Sequence, residues 1–219
     1  MTADTTPVMS GYFDEAYRDY WLQNPERKLD HYLHVIDARL DGGSKALLDL
    51  GCGLGAFLER ASKRHPDWSF AATDMDTRAL TETALRVPHA TIVPGSAEEP
   101  LFADQTFDVI TAWDVFEHVP DLSAAASSVA RMLKPGGLLA FVVPVYDGLT
   151  GPMIRRLDKD PTHLHKLSRG EWLTWTEQHF EDIEWHGLVR YLLGRTYLHA
   201  SSNRGRHHTP AILVSCRLP

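Results

Sequence analysis

The stretch 47-LLDLGCGLGAF-57 places Gly51, Gly53 and Gly55 behind an apolar run that opens at Ala46 and carries one charge, Asp49. A short apolar run closed by glycines reads as a strand buried on both faces, here over 46–50. One glycine would satisfy an ordinary strand-to-helix turn. Three in alternation, each costing backbone entropy, point to a turn that a ligand approaches closely. Glycine reaches positive φ and has no Cβ to hold a ligand away.

Outward from this turn the pattern alternates. A helix is expected over 54–63, ending before His65-Pro66, then a strand over 68–73 and a helix over 77–86. Strands follow over 89–93 and 107–112. A helix over 121–133 has Asp121 as N-cap and closes at Lys134-Pro135-Gly136-Gly137, and another strand covers 138–143. Upstream, Tyr12, Phe13, Tyr17, Tyr20 and Trp21, then Leu29, Tyr32, Leu33, Ile36 and Leu40, recur at spacings of three and four, so 12–40 reads as helical. Downstream, 146-YDGLTGPMIRRLDKDPTHLHKL-167 is long and polar with no periodicity, as expected of a lid or binding loop. A helix over 168–179 and strands over 183–189 and 211–216 complete the chain.

Apolar strands alternating with helices imply a doubly wound α/β fold: a mostly parallel seven-stranded sheet with helices on both faces and an N-terminal helical lid. The chain reads as one domain, 1–219, divided into a lid (1–41), a cofactor-binding core (45–145) and a substrate-side insertion with C-terminal strands (146–219).

Among 219 residues, 22 basic and 29 acidic side chains give a formal charge of -7, which argues against nucleic-acid phosphates as the main partner. The basic group Arg204, Arg206, His207 and His208 reads as a solvated loop. No apolar run approaches the roughly 18 residues of a membrane span. An acidic, aromatic N-terminus is unlike a secretory signal, and two cysteines, Cys52 and Cys216, suit a reducing compartment. The expectation is a cytoplasmic protein, monomer or homodimer, with no nucleic-acid or membrane partner.

Ligands of doubly wound sheets bind outside the carboxyl ends of the strands, where the glycine turn lies. A dinucleotide site is one occupant. Its fingerprint is G-x-G-x-x-G, whereas this chain has G-x-G-x-G with Ala56 in the third fingerprint position. Asp74, ending the second strand, suits a ribose diol in either case.

The segments 95-GSAEEPLFADQTFDVITAWDVFEHVPD-121 and 129-VARMLKPGGLLAFVVP-144, with Asp49 to Gly55, closely resemble the class I S-adenosylmethionine-dependent methyltransferases, most of all their small-molecule branch. The resemblance covers about 45–145. It implies that Asp49, Gly51, Gly53 and Gly55 lie under the methionine part of S-adenosylmethionine. It implies also that Asp74 holds the ribose, that Met75 lies against the adenine, that Ser96 and Ala97 meet the adenine amino group, and that Trp113 lines the cofactor. Arg27, in 24-NPERK-28, matches an arginine that meets the methionine carboxylate. No Asn/Asp-Pro-Pro-Tyr/Phe motif follows the fourth strand and no Pro-Cys nucleophile is present, which points away from nucleic-acid acceptors.

Methyl transfer from a sulfonium is a direct displacement that requires an aligned nucleophile. A hydroxyl or ammonium acceptor must also lose a proton, and His118, His163 and His165 are the candidate bases. Asp158-Lys159-Asp160-Pro161 beside His163-x-His165 reads as a turn, and no metal is expected. The reaction expected is methyl transfer to oxygen, nitrogen or carbon of a small molecule. The alternatives are an intramolecular displacement that releases methylthioadenosine, and a nicotinamide-dependent oxidoreductase.

Overall fold

The computed structural model describes residues 18–148, 151–158, 160–193, 196–202 and 206–219. Strand β1 (Ala46–Leu50) has four consecutive buried residues, and alternate side chains enter opposite layers. Leu48 and Leu50 pack with Ile110, Phe141 and Trp172 on one face. Leu47 packs with Leu33, Phe57, Val109 and Leu138 on the other. A strand covered this way belongs at the centre of a sheet. It pairs in parallel with β2 (Ser69–Thr73) and with β4 (Phe107–Trp113).

The remaining strands are β3 (Thr91–Ile92), β5 (Leu133–Pro144), β6 (Glu181–Leu193), β7 (Thr196–Ser202) and β8 (Ala211–Arg217), and the sheet order is β3-β2-β1-β4-β5-β8-β6-β7. Four pairings are parallel and three antiparallel, the latter all at the C-terminal edge.

Three expectations are corrected. The sheet has eight strands rather than seven: β7, TYLHASS, has no sustained apolar alternation to announce it and is held by its ladder to β6. The polar stretch 146–167 is not structureless, since it contains a short helix over Gly151–Leu157. Lys134 to Gly137 do not close the preceding helix but lie inside β5, where the register against β4 shifts between Phe107 and Val109.

The helices in chain order are α1 (Tyr20–Gln23), α2 (Glu26–Asp37), α3 (Ala56–Arg64), α4 (Thr77–Arg86), α5 (Leu122–Met132), α6 (Gly151–Leu157) and α7 (Arg169–Glu177). Asp121 caps α5 by accepting from the backbone N–H groups of Ser123 and Ala124. In α2, Leu29, Tyr32, Leu33 and Ile36 form a buried stripe, each worth about 1.5–3 kcal/mol in burial. This helix is therefore a core layer, while α1 lies over the glycine turn; Tyr12, Phe13 and Tyr17 fall outside the described residues. Among the described residues no helix is long and apolar enough to cross a membrane.

Candidate functional site

A cavity of about 520 Å³ opens at the carboxyl ends of β1, β2 and β4, and Gly51, Gly53, Asp74, Trp113 and His118 are among the residues lining it. That size suits a nucleoside-sized ligand. The turn after β1 builds its floor. Gly53 has φ +54°, and a Cβ there would come within 2.9 Å of the Tyr20 ring. The Tyr20 hydroxyl accepts from Ala56 N at 3.3 Å and donates to Cys52 O at 3.4 Å, so α1 rests directly on the turn. Gly55 is the N-cap of α3. A Cβ on it would meet Thr83 Oγ1 at 2.7 Å, so its role is the close approach of α4, and it is absent from the cavity lining.

Two carboxyl groups stand at this end of the sheet. Asp74 Oδ2 accepts from Gly53 N and Oδ1 from Asp76 N, each at 2.9 Å. Burial raises its pKa. The backbone of Met75 adds a further hydrogen bond, and the carboxylate keeps acceptor capacity for a ribose hydroxyl. Asp49 lies beneath, 1% exposed, with Oδ1 accepting from Thr111 Oγ1 at 2.7 Å. Burial pushes this carboxyl up to about 7. Met75, 60% exposed, Ser96 and Ala97 also line the cavity, and the Ser96 hydroxyl donates to Glu98 Oε2 at 3.0 Å. Trp113 stacks on Tyr32 with centroids 4.5 Å apart.

On the opposite side, a 3-10 turn over Phe116–His118 carries His118 to the cavity. His118 Nδ1 lies 2.9 Å from Thr162 Oγ1 and 3.2 Å from Thr162 O, which ties the turn to the 146–167 segment. Burial, then the neighbouring His163, lowers its pKa. The His118 and His163 rings are 4.7 Å apart. His163 Nδ1 stands 2.9 Å from Asp158 Oδ2, and the Tyr146 hydroxyl donates to the same oxygen at 2.5 Å. Glu117, 1% exposed, has its pKa raised well above normal by burial and then by Asp114. One ligand atom from each of Glu117, His118 and His163 lies within 4.8 Å of the others, a grouping able to hold a divalent cation.

The expected residues are thus not all brought together. His165 donates from Nε2 to Val119 O at 2.7 Å and lies outside the cavity lining, where it fastens the segment rather than faces a ligand. Arg27 is exposed at the start of α2 and does not line the cavity. Beside it, Lys28 is 5% exposed, and burial lowers its pKa to about 8. Asp114 joins the site without any motif to mark it. It lines the cavity at φ +59° and pairs with Arg190 Nη1 at 2.5 Å. A non-glycine residue held in the left-handed region at a strand end is a functional signal, but sequence does not display it.

The methyltransferase-domain family matches residues 48–141. The chain is 28% identical over 216 residues to a ubiquinone biosynthesis O-methyltransferase of Xanthomonas oryzae, covering 84% of this chain and 88% of that one. It is 32% identical over 143 residues to the protein of the same name from Alkalilimnicola ehrlichii, covering 59% and 56%. In fold it is similar to an S-adenosylmethionine-dependent methyltransferase of Thermotoga maritima (TM-score 0.73, 15% identity, 96% and 97% coverage). It is also similar to one of Methanosarcina mazei (TM-score 0.64, 18% identity, 84% and 96% coverage).

Proposed function

We propose, from the premise that the chain belongs to the class I S-adenosylmethionine-dependent methyltransferases, that it methylates an oxygen of a small-molecule acceptor. One observation carries this reading: the cavity floored by Gly51, Gly53 and Asp74 is also lined by His118. A cofactor cradle and a candidate base therefore face one space. The two relatives named as O-methyltransferases favour oxygen as the acceptor atom.

The glycine cradle, the acceptor capacity of Asp74 and the cavity volume fit the cofactor. When bound, S-adenosylmethionine supplies a methyl group on a sulfonium and leaves as S-adenosylhomocysteine. In this reading Asp74 would accept from the ribose hydroxyls, and Met75, Ser96, Ala97 and Trp113 would hold the adenine part of the cofactor. Gly51 and Gly53 present backbone to the methionine portion, with Asp49 beneath. Arg27, Gly55, His163 and His165 do not line the cavity and touch neither cofactor nor acceptor in this assignment, and Asp49 acts from beneath the lining.

His118 is the base. With Nδ1–H donating to the Thr162 carbonyl, Nε2 carries the lone pair. A ring whose pKa burial lowers stays neutral at neutral pH and accepts the acceptor's hydroxyl proton. The oxygen so deprotonated would be the nucleophile for the methyl group that the bound cofactor would supply. His163, held by Asp158, packs against His118 and fixes its place.

A second reading is favoured by the grouping of Glu117, His118 and His163. A divalent cation there would make the acceptor hydroxyl more acidic. Incubation with methyl-labelled S-adenosylmethionine and a panel of hydroxylated and amino compounds tests the assignment. A methyl ether and S-adenosylhomocysteine in equal amounts are expected. Label on nitrogen would refute oxygen as acceptor, and methylthioadenosine without acceptor would replace methyl transfer by displacement within the cofactor.

A further inference from the structure

The polar stretch 158-DKDPTHLH-165 carries two acidic residues that the cofactor cradle does not use. Asp158 Oδ2 faces the Tyr146 hydroxyl at 2.5 Å, His163 Nδ1 at 2.9 Å and Lys166 Nζ at 3.0 Å. Asp160 is bonded differently. Its Oδ1 accepts from the backbone N–H of Thr162 at 2.8 Å and from the Thr162 hydroxyl at 2.6 Å, while its Oδ2 stands 3.8 Å from His163 Nε2. The local sequence favours this arrangement: an aspartate readily accepts from the backbone two residues on, and Pro161 between the two has its φ fixed.

Thr162 Oγ1 also lies 2.9 Å from His118 Nδ1. A hydroxyl has one proton. With that proton given to Asp160, only lone pairs face the ring, so Nδ1 must be the donor. Thr162 O, 3.2 Å from the same nitrogen, can only accept and works in the same direction. Which imidazole nitrogen keeps its lone pair is set by the bond the other one makes. Nε2 then carries the lone pair, on a residue that lines the cavity. Without Asp160 the hydroxyl would be free to turn and donate to Nδ1, which favours the opposite tautomer with its proton on Nε2.

We infer that Asp160 is a positioning residue for proton removal: by holding the proton of the Thr162 hydroxyl, it keeps His118 in the tautomer whose Nε2 is ready to accept. The inference rests on the reading of His118 as the base. Nε2 takes the acceptor's hydroxyl proton, the ring becomes a cation with Nδ1–H still directed at Thr162, and Nε2 later releases the proton to water. No proton passes to Asp160. Asp160 does not line the cavity, so it acts only through Thr162 and touches neither cofactor nor acceptor.

Imidazole nitrogen resonances of His118, recorded on the nitrogen-labelled full chain at about pH 8, above the ordinary histidine range, test this directly. The wild type should show a protonated Nδ1 and an unprotonated Nε2. In Asp160→Ala the two resonances should move toward each other as the second tautomer is populated. Asp160→Asn keeps an oxygen for the Thr162 hydroxyl and should recover the wild-type spectrum. Removing the hydroxyl as well, in Asp160→Ala/Thr162→Val, should also recover it, because only the backbone carbonyl of position 162 then faces Nδ1. A turn merely loosened by the loss of Asp160 would not be mended by that second substitution. A wild-type Nε2 that carries the proton, a wild-type spectrum in Asp160→Ala, or a double variant no different from Asp160→Ala would overturn the inference. The base reading fails by a separate measurement. A methyl-ether yield in His118→Asn equal to that of the wild type would remove the task of Nε2, and the positioning role of Asp160 with it, while leaving the wild-type tautomer spectrum as expected.

Discussion

The amide of Gly53 donates to Oδ2 of Asp74 at 2.9 Å, tying the turn after β1 to the end of β2. The bond holds the two strand ends in one geometry before any ligand arrives, so the cradle is preorganised rather than assembled on binding.

Gly53→Ala tests the cradle's dependence on a bare backbone. At φ +54° an alanine is strained, and its Cβ would press on the Tyr20 ring. A loss of about 1–2 kcal/mol in urea unfolding is expected from the backbone alone, together with loss of S-adenosylhomocysteine binding. Adding Tyr20→Ala should recover part of the stability by removing the clash, leaving the backbone strain. Wild-type stability and binding in Gly53→Ala would show that the turn tolerates a side chain.

Asp49 predicts a pH dependence of stability. Its folded pKa of about 7 lies above the ordinary carboxylate value because the group is buried. Between those two values the unfolded chain has released the proton that the native state keeps, so stability falls as pH rises through this window. Asp49→Asn cannot ionise and keeps an oxygen for Thr111. It should exceed the wild type by a few kcal/mol at about pH 8, since each pH unit separating the folded and unfolded values is worth ~1.4 kcal/mol, and match it below about pH 4. Urea titrations at both pH values check this, and parallel curves for the two proteins would contradict it.

His118→Asn separates the two readings of proton removal. Loss of a general base lowers kcat by roughly 10²–10⁴-fold, with S-adenosylhomocysteine affinity retained. If His118 acts alone, dialysis against a chelator leaves wild-type kcat unchanged. If the grouping with Glu117 and His163 holds a cation, chelation lowers kcat and a divalent salt restores it.

Asp121→Ala is the contrasting case. Its carboxylate caps α5 through two backbone N–H groups and does not line the cavity. The expected cost is about 0.5–2 kcal/mol in thermal or urea unfolding, with no change in S-adenosylhomocysteine binding. A loss of binding equal to the loss of stability would show that α5 reaches the site.

The parts of this fold that sequence displays are those decided locally. The buried strand before Gly51, the Asp121 cap and the stripe Leu29, Tyr32, Leu33, Ile36 each announce themselves by period or residue type. Strand β7 does not, because its stability comes from pairing with β6, whose register depends on the rest of the sheet. The same holds in the site. Asp74 and His118 stand at motif positions and line the cavity, whereas Asp114 and Arg190 pair across a long separation that no local pattern encodes. Motif position also points to Arg27 at the start of α2, but helical geometry turns Lys28 inward there and leaves Arg27 exposed.

Calorimetric titration with S-adenosylhomocysteine, run on the wild type and on Asp74→Ala, tests the central claim most directly. Specific binding to the wild type, weakened at least about tenfold in a folded Asp74→Ala through the loss of charged hydrogen bonds, is the predicted result. Equal binding by both proteins would place the nucleoside elsewhere. Absence of binding by the folded wild type would contradict the account.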